Sequence, residues 1–380
     1  MPPRPPGRLV WLNTPSADTA RPMIELARRL TQDRGVNILL TCPDPSQLPE
    51  LPADRALIAT PPPADTVAEA RAFLQHWRPQ AGVFSDGALR PALIHEAHAM
   101  SVPLLMVDAH APRAMNRTDT WLPGLMRGAL SSFRQILSID QIAADALTDA
   151  GAPAGRVFVT GRMEEESAVL RCLEAEREAL SRQIATRPVW LAVAVPECEE
   201  QAVIAAHRDM LRMSHRLLLI FVPENPDRAP ALARQLEEDE GWIVAQRSAD
   251  EEPAPEAEVY VIDGQAEMGL WYRLAPVSFM GGSLAGEGCL RNPLEPASLG
   301  SSVIFGPRPG PWRVTFGRLG AARAARSVSS PRDLAEALAE LMAPDRAARL
   351  AQAAWAVVSD GAEVTERVLE TLRQILDEGP

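Results

Sequence analysis

The sequence predicts an α/β protein made of two successive Rossmann-like domains, with parallel sheets facing across a cleft. Three observations predict it. Short, continuous runs rich in Val, Ile and Leu alternate with helical patterns from one end of the chain to the other, the pattern of parallel strands covered by helices on both faces. The alternation breaks once, at a charged segment over 164–184 that has no strand pattern. The chain has 380 residues, enough for two or three domains at roughly 100–200 residues each.

Strands are expected at 8–12, 36–41, 56–59, 82–85, 103–107, 135–139 and 156–160, with amphipathic stretches between them at 19–32, 65–77, 90–100 and 140–149. After the charged bridge, strands are expected at 188–195, 216–222, 242–246, 258–262, 277–280 and 302–305. Helices are expected at 198–212, 228–239, 267–274, 331–342, 345–358 and 361–376. The stretch 248–257 is acidic, contains proline and reads as a loop. This gives a first domain over 1–165, a linker helix over 166–187, a second domain over 188–358 and a C-terminal helix over 359–380. Ligands of such sheets bind at the carboxyl ends of strands, so the cleft is the expected site.

Composition removes several chemistries. The 38 basic residues counted as Lys plus Arg are all arginine, so no Schiff-base lysine and no P-loop lysine exists. The net charge of −12 lies almost entirely after residue 165, and an acidic chain without a basic stripe is a poor nucleic-acid binder. Cys42, Cys172, Cys198 and Cys289 are scattered without a CxxC, which suggests neither a zinc site nor a disulfide framework. No GxGxxG follows the first strand of either half, which weighs against a dinucleotide dehydrogenase. No cofactor or metal is expected. The N-terminus lacks the apolar core of a signal peptide and no run approaches a membrane span, so the expected setting is cytoplasmic.

Residues 277–299, VSFMGGSLAGEGCLRNPLEPASL, carry the most information. A strand ends in Gly281-Gly282-Ser283, a glycine-rich loop runs to Arg291, and a helix opens at Asn292 with Pro293 at its first position and Glu295 three residues after the cap. Two readings stand side by side. The loop and helix start cradle a phosphate while Glu295 holds a ribose hydroxyl, or Glu295 closes a capping box and the glycines only make the turn.

The run DGQAEMGLWYRLAPVSFMGGSL, followed by NPLEPASLG and VIFGP, resembles the 3-deoxy-D-manno-octulosonic acid (Kdo) transferases of lipopolysaccharide synthesis. Asp263, Glu267, Gly269, Leu270, Tyr272, Gly281, Gly282, Ser283, Leu284, Asn292, Pro293, Glu295 and Pro296 carry the resemblance. It continues more faintly in RLVWLN, ARAFLQHWRPQ, VFVTGRMEEE and FVPENPDR. The resemblance implies a GT-B fold and an inverting sugar transfer from CMP-Kdo to a lipid A precursor at the inner face of the cytoplasmic membrane. It places the nucleotide sugar in the second domain, shaped by Glu267, Gly281, Gly282, Ser283, Arg291, Asn292 and Glu295. The first domain meets the acceptor, and the C-terminal helix crosses back to it. Members commonly begin with a hydrophobic or basic anchor. This chain starts almost at its first strand, so the expectation is a protein that is soluble or is held peripherally at the membrane by a partner.

The departures from the family pattern fall at positions of chemistry. The first loop reads Pro15-Ser16-Ala17-Asp18-Thr19, with Thr19 aligned to the family's proposed general base, a glutamate. Asp18 is then a candidate base or simply the N-cap of the helix at 19–32. The family's Glu-x-Glu-Leu-Trp-Pro-Asn becomes Asp86 to Ala92, its Asn-Ala-Arg-Leu-Ser becomes Asp108 to Pro112, and a lysine becomes Glu164. His110 follows a strand end near Asp108 and is a second catalytic candidate. Arg228 and Arg291 are phosphate partners or solvated surface residues. His95 and His98 read as a surface helix rather than a metal site, Trp271 and Tyr272 as packing, and Glu237 to Glu240 as a solvated face. The functional expectation is a Kdo-type transferase. Its alternatives are a catalytically weakened paralogue that binds a nucleotide or a partner enzyme, and a GT-B enzyme with a changed donor or acceptor.

Overall fold

The computed structural model of the protein describes residues 2–17, 19–32, 35–48, 56–114, 123–163, 170–249 and 251–378. The chain divides into two compact units, Met1–Ser167 together with Asp360–Pro380, and Ala168–Ser359.

The first unit runs β1 (Arg8–Asn13), α1 (Arg21–Leu30), β2 (Val36–Thr41), β3 (Leu57–Thr60), α2 (Val67–Trp77), β4 (Ala81–Ser85), β5 (Ala88–Leu89), α3 (Pro91–Ala99), β6 (Leu104–Ala109), β7 (Arg113–Ala114), α4 (Pro123–Ser131), β8 (Phe133–Ser138), α5 (Gln141–Asp149) and β9 (Val157–Val159). Seven strands form one parallel sheet in the order β3-β2-β1-β4-β6-β8-β9, and β5 pairs with β7 in a separate ladder. The strands are apolar on both faces because both faces are covered. On one face Trp11, Phe73, Trp77, Phe84 and Phe133 pack together. On the other, Met23, Leu26, Ala27 and Leu30 repeat at the helical spacing that aims one stripe of α1 at the sheet.

The second unit runs α6 (Glu174–Ile184), β10 (Val189–Val195), α7 (Glu197–Leu211), β11 (Leu218–Pro223), α8 (Ala229–Gln235), β12 (Val244–Gln246), β13 (Val259–Val261), α9 (Met268–Leu274), β14 (Val277–Met280), α10 (Leu294–Ser298), β15 (Ser302–Phe305), α11 (Arg313–Ala321), β16 (Ala325–Ser327), α12 (Pro331–Leu341) and the first part of α13 (Pro344–Glu378), whose residues from Asp360 on belong to the first unit. Its sheet is also parallel and seven-stranded, in the order β12-β13-β11-β10-β14-β15-β16.

Every expected strand is present with small shifts at its ends. Five elements were not expected: the two-residue strands β5 and β7, helices α4 and α11, and strand β16. Helix α4 contains Gly124 and Gly128, and α11 contains Gly317 and Gly320, so glycine masks their helical pattern. Strand β16 is a three-residue edge strand, too short to show a period. The helices expected at 345–358 and 361–376 are one helix, α13. Gly361 costs about 1 kcal/mol in a helix interior, which the flanking burial of Ala354, Val358, Val364 and Val368 outweighs. Residues 364–376 of α13 supply Val364, Val368, Leu369 and Leu372 to the α1 side of the first sheet. The acidic run Glu237 to Glu240 lies in a π-helical turn that prolongs α8, and Glu240 pairs with Arg208.

Candidate functional site

In each sheet the strand order reverses beside the first strand, between β1 and β4 in the first and between β10 and β14 in the second. Loops leaving the carboxyl ends of those strands form the crevice in which open α/β sheets hold ligands.

In the first unit, the loop after β1 is tied by hydroxyls. Thr14 Oγ1 lies 3.0 Å from Thr19 Oγ1 and donates to the Ser16 carbonyl at 3.0 Å. Asp18 lies outside the described residues. The cap position of α1 is Ala20, so the helix starts at Arg21, later than the expected 19, and the reading of Asp18 as its cap falls with Asp18 outside the described residues. After β4 the chain turns through Asp86 and Gly87, both at φ +65°. A Cβ on Gly87 would stand 2.8 Å from the His110 carbonyl oxygen, so only glycine lets the loops after β4 and β6 approach this closely.

That approach brings His110 to Asp86. The imidazole Nε2 is 3.3 Å from Asp86 Oδ1 and 2.9 Å from Arg162 Nη2. Asp86 is 14% exposed and His110 32% exposed at the side chain, so the pair is shielded but reachable. Asp108, near the end of β6 at φ +47°, is buried and accepts from the Met163 amide at 2.7 Å. Left-handed backbone at two aspartates on neighbouring strand ends is strain, costing on the order of 1–3 kcal/mol each, of the kind that clusters at functional sites. Glu164 lies outside the described residues.

In the second unit, the glycine loop closes on a carboxylate that sequence reasoning did not single out. Glu199, in the first turn of α7, is fully buried. Its Oε1 accepts from the amides of Leu284, Ala285 and Gly286 at 2.7, 2.6 and 2.9 Å, and its Oε2 from Gly282 at 2.8 Å. These amides form an anion nest, and the anion in it belongs to the protein. The signal available in the sequence was the acidic first turn of α7, where Glu197, Glu199 and Glu200 favour the helix N-terminus.

The glycines are needed for packing. A Cβ at Gly281 would lie 2.4 Å from the Val193 and Ala194 carbonyl oxygens, and one at Gly282 2.2 Å from that of Gly288. Ser283 is buried, donates to the Met280 carbonyl and accepts from the Gly306 amide at 2.8 Å. Helix α10 has only five residues and starts at Leu294, so the helix expected to open at Asn292 is shorter and later. Asn292 Oδ1 still accepts from the Leu294 amide at 2.9 Å. Glu295 turns its carboxylate to Tyr272 Oη at 3.0 Å and to Arg291 Nη2 at 2.7 Å. Burial and the Glu295 charge push the Tyr272 phenol well up, so it acts as a donor. Arg291 also reaches Gln265 Oε1 at 3.5 Å.

Glu267 lies outside this group of contacts. It stands at the N-cap position of α9 without a side-chain cap bond and accepts from Arg247, which also pairs with Glu176 and lies 5.7 Å over the Trp271 ring. The Glu267 hydrogen bond raises the Arg247 pKa further. Arg228 pairs with Glu200 at 2.8 Å and with Gln235 at 2.7 Å. Trp271 and Tyr272 are buried packing residues, while His95 and His98 are exposed on α3. Among the described residues no cluster of His, Cys, Asp or Glu could hold a metal ion, and no helix is long and apolar enough to cross a membrane.

A family model described as 3-deoxy-D-manno-octulosonic-acid transferase matches residues 1–165. A 3-deoxy-D-manno-octulosonic acid transferase of Bordetella pertussis is 30% identical over 332 residues, covering 83% of this chain and 73% of that one. The protein of that name from Haemophilus influenzae is 24% identical over 321 residues, covering 83% of this chain and 74% of its own. In fold, the chain is similar to the crystal structure of Acinetobacter baumannii MurG, with TM-score 0.54 and 13% identity over 97% of this chain and 99% of that one. The two parallel α/β units are those of the GT-B fold.

Proposed function

The chain belongs to the 3-deoxy-D-manno-octulosonic acid transferase family of glycosyltransferases, and from that premise we propose that it transfers an acidic sugar from a CMP-activated donor to a lipid A-type acceptor in lipopolysaccharide synthesis. The observation that carries this reading is the 332-residue span shared with a relative of that name, which includes both units. The second unit is the donor side, where the loop fixed by Glu199 presents Arg291, Asn292 and Glu295. The first unit is the acceptor side, where the protein meets the inner face of the cytoplasmic membrane peripherally.

The reaction needs a base for the acceptor hydroxyl. His110 is suited to it, because the Asp86 carboxylate at 3.3 Å stabilises the imidazolium that proton transfer creates. The hydroxyl oxygen bonds to the anomeric carbon as its proton passes to His110. The bond from that carbon to the phosphate oxygen breaks, and CMP leaves with the electron pair. Asp18 is the other base candidate, on the loop after β1.

Purified protein given CMP-Kdo and a tetra-acylated lipid A precursor should release CMP and add one Kdo mass to the acceptor. CMP binding by calorimetry without release would favour a binding paralogue, and release only with another acceptor would favour a changed specificity. His110→Gln should lower kcat by about 10²–10⁴. An unchanged kcat would reject His110, and a comparable loss confined to Asp18→Asn would move the role to Asp18.

A further inference from the structure

We propose that Arg162 is a placeholder that keeps Nε2 of His110 free of a proton at rest, and that Asp86 takes over that nitrogen once it is protonated. The inference rests on the reading of His110 as the base of the first unit.

The argument starts from donor and acceptor inventory. A guanidinium has N–H donors and no acceptor, and an ionised carboxylate only accepts. Arg162 Nη2 is 2.9 Å from His110 Nε2, so in that contact Nε2 offers its lone pair and the ring proton sits on Nδ1. Asp86 Oδ1 is 3.3 Å from the same nitrogen and can bond to it only when Nε2 carries a proton. The two neighbours therefore serve opposite protonation states of one atom. With Arg162 engaged, the imidazole is neutral with its lone pair held in place. With Arg162 withdrawn, the nitrogen can take the acceptor's proton and pair as imidazolium with Asp86.

An anionic substrate supplies the reason to withdraw. Phosphate and carboxylate oxygens bind a guanidinium in pairs and more strongly than a neutral ring nitrogen does. Substrate anion would draw Arg162 away and expose the base as the site fills. Asp108 is the positioning residue for this device. Its carboxylate accepts from the amide of Met163, next to Arg162, at 2.7 Å, and both Asp108 and Asp86 stand at left-handed backbone beside these contacts.

The test reads the ring directly. In the full chain labelled with ¹⁵N-histidine, at about pH 8.5 where an ordinary histidine is neutral, the imidazole nitrogen shifts report the tautomer, and His110→Gln assigns the resonance. The wild type should show an unprotonated Nε2. Arg162→Met should move His110 to the Nε2–H tautomer bonded to Asp86, while Arg162→Lys, which keeps a cationic donor, should resemble the wild type. A protonated Nε2 in the wild type, or a tautomer unchanged in Arg162→Met, would overturn the proposal. Should Arg162→Met not fold, the wild-type tautomer decides alone. None of these readouts needs turnover, so an absence of Kdo transfer would sink the functional reading and leave this measurement standing.

Discussion

Glu199 shows how much one side chain can decide. Four backbone amides converge on a carboxylate with no exposure to water, so Glu199→Ala leaves buried donors unsatisfied. It should destabilise the second unit by at least about 3 kcal/mol in urea unfolding. A second residue gives a pH signature. His207 accepts from Trp190 Nε1 at Nδ1 and places Nε2 against the Glu258 carbonyl, and burial pushes its pKa down to about 3. The unfolded state takes up this proton near the ordinary value of about 6.5 while the folded state does not. Stability contributed at this site is therefore present above pH 6.5 and is lost as pH falls toward 3, by up to about 1.4 kcal/mol per pH unit. Comparing His207→Gln with the wild type at pH 7 and pH 5 should show a shallower pH dependence in the variant. Among the cysteines, Cys198 is exposed, and burial pushes the Cys289 thiol up to about 12. A maleimide should label Cys198 in the native protein and spare Cys289 until unfolding.

At the scale of elements, α11 is built against its own propensities. Gly317 and Gly320 are exposed, and a Cβ at either meets nothing within 4 Å. Gly317→Ala should stabilise the second unit by up to about 1 kcal/mol, read as a rise in Tm, because the cost of glycine in a helix is not offset by any close contact. The same feature explains the reading of the sequence here. Strands and amphipathic helices were legible because Val, Ile and Leu runs and the Met23-Leu26-Ala27-Leu30 spacing come directly from burial. α4 and α11 were not, because their stability comes from packing of a few residues such as Leu130, Phe316 and Leu319 and not from a clean pattern. α13 is one helix where the sequence predicts two, and Gly361 with its low helix propensity sits at the predicted break.

For the whole molecule, the chain order and the spatial division differ. The final residues, 360–380, belong with 1–167, and Val364, Val368, Leu369 and Leu372 complete the apolar face beside α1. Truncation after Ser359 should strip that face and abolish hydrogen-exchange protection in β1 and β2, while β10 and β11 remain protected. Equal loss in both units would contradict the assignment of this segment to the first unit alone.

By itself the sequence determined the fold class, the two parallel α/β halves and the transferase resemblance, because burial on both faces of a parallel sheet and the Asp263 to Pro296 run are written in consecutive residues. It also picked out His110 and the glycine loop as places of interest. Only the tertiary structure decided what these residues touch. Asp86, His110 and Arg162 come from three separate strand ends, and Glu199 reaches a loop more than eighty residues away. Such meetings are set by strand order and by backbone turns at left-handed φ, and neither leaves a periodic trace along the chain, so the partners of a charge are fixed only when the sheet has assembled.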